Sequence, residues 1–415
     1  MVTGLGCVSP IGNDVPTFWE ALLSGASGAS VITSFDTSRY RTHVGCEVKD
    51  LEGLRAARTM CLRSKDSPQG DGPRHGRATE LATLAAIEAL EQAGIDPTSE
   101  GRRLGVSLGT TMGESNFLDQ LTPAEETARE AGTREDPSRW KEVLTRSAWS
   151  ITSGVAAQLG VRGIQASLPA ACSAGNYAVG LAFDLIRQGK IEVALAGGAE
   201  AFSESAFAGF HRLNAMSPDV CRPFDRDRRG LLLGEGAGVL VLESEKRARK
   251  RSAPILAEVL GYGLSCDAHH ITGPHPDGAG AAAAMRHALR DAGASADDVG
   301  WVCCHGTGTL QNDKIEARAI HHVFADRARS LPVSSIKALT GHMMGAASAV
   351  EAIACVRALH HSVLPPTWNQ VHLDPECDLD VIPNAPREVH TRIVLNNSYA
   401  FGGNNACVAF TGRSE

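Results

Sequence analysis

One cysteine lies where a run of small residues meets the predicted start of a helix. Cys172 is preceded by Leu-Pro-Ala-Ala and followed by Ser-Ala-Gly. A helix start carries partial positive charge and backbone N–H groups without partners, and both favour a thiolate over a thiol. The same N–H groups could stabilise the oxyanion that forms when sulfur attacks a carbonyl carbon. Cys172 is therefore a candidate nucleophile, although a small buried structural cysteine would show the same pattern.

A histidine follows a predicted buried strand in the second half of the sequence. His305 opens the run His-Gly-Thr-Gly-Thr, which ends at Thr309. Two glycines let a ligand approach the backbone closely, and the hydroxyl groups of Thr307 and Thr309 could hydrogen-bond an amide-rich arm. The alternative is a histidine that only completes the core at a strand end.

A second histidine lies between a lysine and a glutamate. His342 occupies a predicted turn, with Lys337 at the preceding strand end and Glu351 on the following apolar helix. Lys337 and Glu351 could pair near a site and orient the imidazole, or they could form an ordinary surface ion pair. Near the end of the chain, Phe401 is followed by two glycines, whose conformational freedom would allow the ring to swing.

The elements that position these residues occur twice. Residues 86–94 form an Ala/Leu-rich helix ended by glycine, and residues 103–110 form an apolar strand that stops at Gly-Thr; residues 285–293 and 300–307 repeat this order. A second internal similarity pairs residues 172–189 with 343–360, where a turn of small residues opens an apolar helix in both segments. Alternating strands and helices predict an α/β fold whose sheets are covered by helices. We expect two related halves, 1–245 and 246–415, with an inserted excursion near 113–150.

Composition excludes several classes of protein. The formal net charge of −7 lacks the basic surplus of a nucleic-acid-binding protein. No apolar run reaches the roughly 18 residues of a membrane span, and no secretory signal is visible at Met1. We expect the 11 cysteines to be reduced in a cytoplasmic protein. The clusters around Cys304 and His269 lack zinc-site spacing, so no metal site is predicted.

The motifs together resemble the β-ketoacyl-[acyl-carrier-protein] synthase family. The resemblance begins at Val2-Thr-Gly-Leu-Gly, continues through the cysteine segment, and includes Arg222-Pro-Phe-Asp and Gly234-Glu-Gly-Ala-Gly. His-Gly-Thr-Gly-Thr, the lysine with Gly-His, and Phe-Gly-Gly then follow in the family's order. It covers nearly the whole chain. The family implies a thiolase-like, five-layer αβαβα fold of two pseudo-symmetric halves.

The resemblance also implies a reaction. An acyl group would move from the phosphopantetheine arm of an acyl carrier protein to Cys172, and a malonyl extender on a second carrier would lose CO2. His305 and His342 would stabilise the resulting enolate, and the backbone N–H groups of Cys172 and Phe401 would form the oxyanion hole. No bound cofactor is implied.

Supporting roles follow from the same resemblance. Thr307 and Thr309 would grip the arm, and Lys337 and Glu351 would support the histidines. Phe401 would gate access, and Met112 matches the mouth of the acyl pocket. The partners implied are the carrier protein and a second subunit, either a copy of this chain or a chain-length-factor-like protein.

Three departures from the family pattern favour a specialised pathway, such as a type II polyketide pathway. Ala400 replaces a glycine before the gate phenylalanine, Asn312-Asp313 replaces Gly-Asp, and residues 225–229 are unusually rich in arginine. A fatty-acid elongation synthase is the main alternative. A CoA-dependent thiolase would need a second cysteine as a base, for which Cys407 is the candidate, and a non-catalytic chain-length subunit would lack Cys172.

Overall fold

Two large sheets and three layers of helices form most of the described part of the chain, with two further two-stranded sheets, β2-β3 and β11-β13. The computed structural model describes residues 1–59, 76–116, 119 and 147–412. The predicted excursion at 113–150 therefore lies mostly outside the described residues. The strands are β1 Val2–Val8, β2 Ser30–Val31, β3 Val44–Gly45, β4 Leu104–Gly109, β5 Gln165–Leu168, β6 Val193–Glu200, β7 Gly236–Glu243, β8 Glu258–Cys266, β9 Val299–Cys303, β10 Pro332–Ser334, β11 Val363–Leu364, β12 Asp380–Val381, β13 Arg387–Glu388, β14 Ile393–Tyr399 and β15 Asn404–Thr411.

The helices agree with the periodicity of the sequence. Those predicted near residues 78–92, 174–187, 281–292 and 346–359 are all present, each within two residues at either end. The α-helices are α1 Val15–Ser24, α2 Leu51–Thr59, α3 Arg77–Ala93, α4 Pro97–Glu100, α5 Trp149–Leu159, α6 Ala174–Arg187, α7 Glu204–Arg212, α8 Glu245–Lys250, α9 Ala279–Asp291, α10 Leu310–Phe324, α11 Lys337–Thr340 and α12 Ala347–His361.

The two main sheets have matching strand orders. The first runs β1-β7-β6-β4-β5, and the second runs β8-β15-β14-β9-β10 with β12 added at its end. In both, the first two pairings are antiparallel and the next two are parallel. The strand order therefore repeats, as the internal similarities in the sequence predict for duplicated halves. The exact division at residue 245 stays a prediction.

Helices cover both faces of each sheet. Helices α3 and α5 pack on the outer face of the first sheet, and α9 packs outside the second sheet with α10 beside it in the same apolar cluster. Helices α6 and α12 lie between the sheets and contact both, which gives the five-layer αβαβα arrangement. Gly109 ends β4 beside the start of α6, and a Cβ there would lie 2.2 Å from the Ala174 carbonyl carbon. Only glycine allows the helix to begin this close to the strand.

A buried hydrogen-bond network joins the central helices to the second sheet. The Asn176 backbone N–H on α6 donates to Ser348 Oγ on α12 at 3.0 Å. The Asn396 amide on β14 donates to the Ser348 carbonyl at 2.8 Å and to Asn176 Oδ1 at 3.0 Å. All three side chains are fully buried, so a lost partner would leave an unsatisfied polar group in the core. The network fixes the two halves in one relative position.

Candidate active site

Cys172 lies in a strained turn between β5 and α6. Residues Ala171–Ser173 form a single 3₁₀ turn, and Ala171 has a left-handed φ of 49°. Such a conformation is costly for a residue with a side chain and persists only where its surroundings enforce it. Here Ser398 on β14 donates its hydroxyl to the Cys172 carbonyl at 2.8 Å, and the Ser173 hydroxyl donates to the Ser398 carbonyl at 3.0 Å. The second half of the chain therefore fixes the thiol of the first.

Burial determines the protonation state of the thiol. Cys172 is 5% exposed, and this burial raises the pKa of its thiol to about 12. Lys337 and the backbone N–H groups of Cys172 and Phe401 act in the opposite direction, lowering the pKa by less than burial raises it. The helix start acts in the predicted direction, toward the thiolate, but desolvation has the larger effect on the pKa of the thiol.

The two histidines face each other across the site. The ring centroids of His305 and His342 lie 5.3 Å apart, with an angle of 81° between the ring planes. Burial, followed by the nearby Lys337 cation, holds the pKa of both imidazoles well below the usual range. Both rings are therefore neutral at physiological pH. The Nδ1 atom of each ring is buried and has no hydrogen-bond partner among the residues that the structure describes.

Lys337 and Glu351 form a buried ion pair behind His305. Both side chains are 1% exposed, and the lysine ammonium contacts Glu351 Oε1. The same Nζ donates to the His305 carbonyl at 2.7 Å. This bond connects the ion pair to residues 305–309, the histidine loop. Burial raises the pKa of Glu351 to about 7. For Lys337, burial acts to lower the pKa, but attraction to Glu351 outweighs it and raises the pKa.

Two carboxylates that the sequence analysis did not identify hold the histidine loop. Glu316 on α10 accepts the His305 backbone N–H at 2.8 Å and the Gly306 N–H at 2.7 Å. Asp313, one turn earlier, accepts the Thr307 N–H at 3.0 Å. Both are fully buried, so these bonds are shielded from water. The only signal in the sequence was the presence of two acidic residues on the helix that follows the loop.

A buried arginine supports Asp313. The Arg228 side chain is 1% exposed; its Nε lies 3.6 Å from Asp313 Oδ2, and its Nη1 contacts Asp374. Arg228 belongs to the arginine-rich segment that departs from the family pattern. At least this member of the segment is structural, because it joins the histidine loop to residues near Asp374.

One cavity brings most of the predicted residues together. Its volume is about 390 Å³, and its walls include Cys172, His305, His342, Phe401 and the two threonines of the histidine loop. The hydroxyl oxygens of Thr307 and Thr309 lie 3.0 Å apart. Hydroxyl groups, imidazoles and a thiol therefore line a single opening to the surface.

The gate phenylalanine is stacked on another aromatic ring. Phe401 is 36% exposed and stacks on Phe210 of α7, with a centroid distance of 5.5 Å. Phe210 also meets the edge of His342 at 6.5 Å. Ala400 has φ −132°, an extended conformation open to any residue, so alanine causes no strain in this state. Phe210 was not identified from the sequence, since it lies in an ordinary amphipathic helix.

Met112 and Cys407, both named from the sequence, lie away from this cavity. Met112 is 39% exposed on the loop after β4 and is not part of the cavity wall. Cys407 is fully buried in β15 within the outer core of the second half, so it does not reach the cavity as a second thiol. A role for Met112 in acyl-chain length stays a prediction.

Other features of the described residues bear on the wider expectations. All ten cysteines in the described ranges are free. Within those ranges, no three His, Cys, Asp or Glu side chains are grouped to hold a metal ion. None of the described helices is both long and apolar enough to cross a bilayer.

Comparison with known proteins identifies the family. Residues 1–248 match the model for "Beta-ketoacyl synthase, N-terminal domain", and residues 256–371 match the corresponding C-terminal domain. Nodulation protein E of Rhizobium meliloti (strain 1021) is 40% identical over 99% of this chain and 98% of its own length. The 3-oxoacyl-[acyl-carrier-protein] synthase 2 of Staphylococcus aureus is 36% identical over 99% and 100%, respectively.

A solved structure has the same fold as this chain. The ishigamide ketosynthase/chain length factor superposes with a TM-score of 0.90 at 42% identity, covering 100% of this chain and 98% of that one. Both family models, the relatives and the fold thus agree with the family that the sequence resembles. This chain belongs to the β-ketoacyl synthase family.

Proposed function

We propose that the protein catalyses a decarboxylative Claisen condensation between an acyl group on Cys172 and a malonyl group on an acyl carrier protein. The products are a β-ketoacyl carrier protein and CO2. The observation that supports this most directly is the convergence of one thiol and two neutral imidazoles on a single cavity. Each group supplies one requirement of the reaction, and none needs a bound cofactor.

The first step loads the acyl group. The Cys172 sulfur attacks the thioester carbonyl, the bond from that carbon to the pantetheine sulfur breaks, and the thiol proton leaves with the departing thiolate. Because burial keeps the resting thiol protonated, the proton is transferred only when a thioester is in place. The backbone N–H groups of Cys172 and Phe401 face the sulfur and would stabilise the oxyanion.

The second step forms the new carbon–carbon bond. The malonyl carboxylate leaves as CO2, and its bonding electrons form an enolate on the extender thioester. His305 and His342 donate hydrogen bonds to the enolate oxygen. The enolate carbon then attacks the acyl group on Cys172, whose sulfur leaves as the thiolate and takes up one proton from solvent to restore the resting thiol. Neutral rings suit this role because they donate hydrogen bonds to the enolate oxygen without a full positive charge. A full charge would stabilise the enolate so strongly that it would react slowly.

The remaining residues hold the reacting groups in place. Thr307 and Thr309 would bind the phosphopantetheine arm through their paired hydroxyl groups. Lys337, held by Glu351, positions the His305 backbone. Phe401 would open and close the route to Cys172, and Met112 would limit the acyl chain if a second subunit covers its exposed side.

We assign the reaction to a type II polyketide or other specialised acyl pathway in the cytoplasm. Similarity to a ketosynthase solved as a ketosynthase/chain length factor supports a heterodimer with a chain-length-factor-like subunit. Free thiols throughout the described chain support a reducing compartment. Fatty-acid elongation is the second candidate, favoured by 36% identity to a 3-oxoacyl-[acyl-carrier-protein] synthase 2.

Intact-mass spectrometry with acyl and malonyl carrier proteins tests the proposal. Wild type should gain the acyl mass and then release a β-ketoacyl carrier protein, whereas Cys172→Ala should never gain it. The experiment is repeated with a co-expressed partner subunit. Absence of an acyl adduct under both conditions, or an adduct on Cys172→Ala, would refute the assignment. A preference for saturated acyl primers would favour fatty-acid elongation, and a preference for β-keto primers would favour the polyketide pathway.

A further inference from the structure

A buried phenylalanine has a backbone conformation that bulky residues disfavour. Phe224 lies in the segment between α7 and β7, within the motif Arg222-Pro-Phe-Asp. Its φ is 62°, in the left-handed region, and its side chain is fully buried. A bulky residue adopts this conformation only where its surroundings enforce it, and residues strained in this way cluster at functional sites. Phe224 therefore calls for a functional explanation.

The carboxylate that fixes the backbone of Phe224 also fixes the histidine loop. The Phe224 N–H donates to Asp313 Oδ2 at 2.8 Å. The other oxygen of the same carboxylate, Oδ1, accepts the N–H groups of Thr307 at 3.0 Å and Gly308 at 3.2 Å. One buried side chain thus holds Phe224 and the loop in a fixed relative position.

The Phe224 ring packs against the residue that follows His305. A Cβ added to Gly306 would lie 2.9 Å from Phe224 Cε2 and 2.6 Å from the Cβ of Ser335. The ring and Ser335 therefore fill the space that a side chain would need, and only glycine can pack directly on them. Ser335 also donates its hydroxyl to the Gly306 carbonyl at 2.7 Å. Because no side chain intervenes, a shift of the ring acts directly on the backbone beside His305.

Three further residues of the same segment hydrogen-bond backbone carbonyls of the histidine loop. The pairs are Cys221 Sγ with Thr307 at 3.3 Å, the Gly230 N–H with Gly308 at 3.0 Å, and Arg228 Nε with Thr309 at 3.2 Å. Residues 221–230, the cradle segment, therefore contact every residue of the loop from 306 to 309.

The cradle segment and the histidine loop come from different halves of the chain. Residues 221–230 lie within the part that matches the N-terminal domain, whereas His305 lies in the part that matches the C-terminal domain. Phe224 nevertheless belongs to the apolar cluster of the second half, together with Val302 and Cys304, which precede the histidine. A residue of the first half is thereby built into the support of a second-half histidine.

We propose that Phe224 is a positioning residue for His305 and acts through Gly306. Asp313 keeps the strained backbone in place, and the buried ring supports the loop that carries the imidazole. Its effect on decarboxylation rests on the proposed function, whereas its effect on the loop does not. Removal of the ring should displace His305 and leave the thiol of Cys172 in place, because Ser398 fixes the nucleophile turn from another strand.

The two steps of the reaction separate positioning from a general loss of stability. Phe224→Leu keeps an apolar side chain and the same backbone strain but removes the ring that packs on Gly306. Acyl loading does not involve His305, so its rate should be unchanged. Release of CO2 from malonyl carrier protein on the loaded enzyme should be about ten- to hundredfold slower, because a misplacement of about 1 Å can cost a factor of that order.

Hydrogen exchange of the loop amides tests the support of the loop whether or not the chain condenses a substrate. The N–H groups of residues 305–308 are hydrogen-bonded to the buried carboxylates of Glu316 and Asp313. In Phe224→Leu, the peptide that contains these residues should exchange about tenfold faster than in wild type, because the loop opens more often without the ring. Peptides from α3 should exchange at the wild-type rate.

Phe18→Leu is the matched control. Phe18 on α1 is as fully buried as Phe224 but belongs to a different apolar cluster. Its replacement should lower the melting temperature, yet both the exchange of the loop and the ratio of the two rates should keep their wild-type values. If Phe224→Leu does not fold, Phe224→Met, which keeps more of the side-chain length, takes its place with the same expected results.

Three results would overturn the proposal. One is wild-type exchange of the loop in the Phe224 variant, and another is equal slowing of acyl loading and CO2 release. The third is faster loop exchange, or selective loss of CO2 release, in Phe18→Leu. A wild-type chain that neither loads an acyl group nor releases CO2 would instead refute the proposed function, and the exchange rates would still decide whether Phe224 holds the loop.

Discussion

Replacing Lys337 with methionine should damage both stability and the pH range of the reaction. Methionine keeps the length of the side chain but removes the ammonium that contacts Glu351 and donates to the His305 carbonyl. Both members of the ion pair are 1% exposed, and loss of one partner from a buried pair costs about 3–5 kcal/mol. That is a large part of the roughly 5–15 kcal/mol that stabilises a typical protein.

The effect on the histidines has a definite sign. After burial, the Lys337 cation is the next cause that lowers the pKa of His305 and His342. Without that cation, the pKa of each imidazole rises, and protonation on acidification begins at higher pH. Because the reaction needs neutral rings, the acid limb of its pH–rate profile should move upward in Lys337→Met.

Two measurements check this prediction. Urea unfolding of Lys337→Met, Glu351→Gln and the double variant gives the coupling energy of the pair. The double variant should be more stable than Lys337→Met alone, because no charge is then buried without a partner. Release of CO2 from malonyl carrier protein as a function of pH gives the acid limb. An unmoved acid limb together with additive losses of stability would refute the reasoning.

Three further predictions concern the surroundings of the site. Asp313→Asn should lower stability by about 1–3 kcal/mol in urea unfolding, since the buried Thr307 N–H loses a charged acceptor while Arg228 keeps Asp374; an unchanged stability would contradict this. Phe210→Ala removes a stacked ring worth about 0.5–1.5 kcal/mol, so the acyl-enzyme should hydrolyse up to about tenfold faster by intact mass, whereas Phe210→Tyr should not. Burial raises the pKa of Glu316 to about 7, so the folded state holds a proton that the unfolded state loses near pH 4.3. As the pH rises from about 4.5 to 7, the stability of the folded protein should therefore fall. In Glu316→Gln, the melting temperature should depend less on pH over this range.

The grouping of one thiol and two imidazoles could be predicted because these residues lie in local motifs. Cys172 follows a strand and precedes a helix, and His305 and His342 each follow a strand of the second half, so the fold brings all three to one cavity. Repetition in the sequence likewise predicted the repeated strand order. These features depend on neighbours along the chain, which periodicity and turn residues reveal.

Residues that act across the fold could not be predicted in the same way. Glu200 is the last residue of a buried strand, and it accepts the backbone N–H groups of Thr111 and Gly345, which are far away in sequence. Nothing in its own segment distinguishes it from a strand end exposed to water. The net pKa of the Cys172 thiol could not be predicted for a related reason: the helix start is visible in the sequence, but the depth of burial that outweighs its effect is not.

The hydrogen bonds among Asn176, Ser348 and Asn396 limit how related enzymes can be recombined. A chimera joined near residue 250 takes Asn176 from one parent and the other two residues from the second. Parents that share this trio can exchange halves and keep the thiol aligned with the histidines. Parents that differ at any one of the three would leave an amide or hydroxyl group without a partner where the two halves meet. Their hybrid would misalign the thiol and the two histidines even if the sequence motifs around those residues were unchanged.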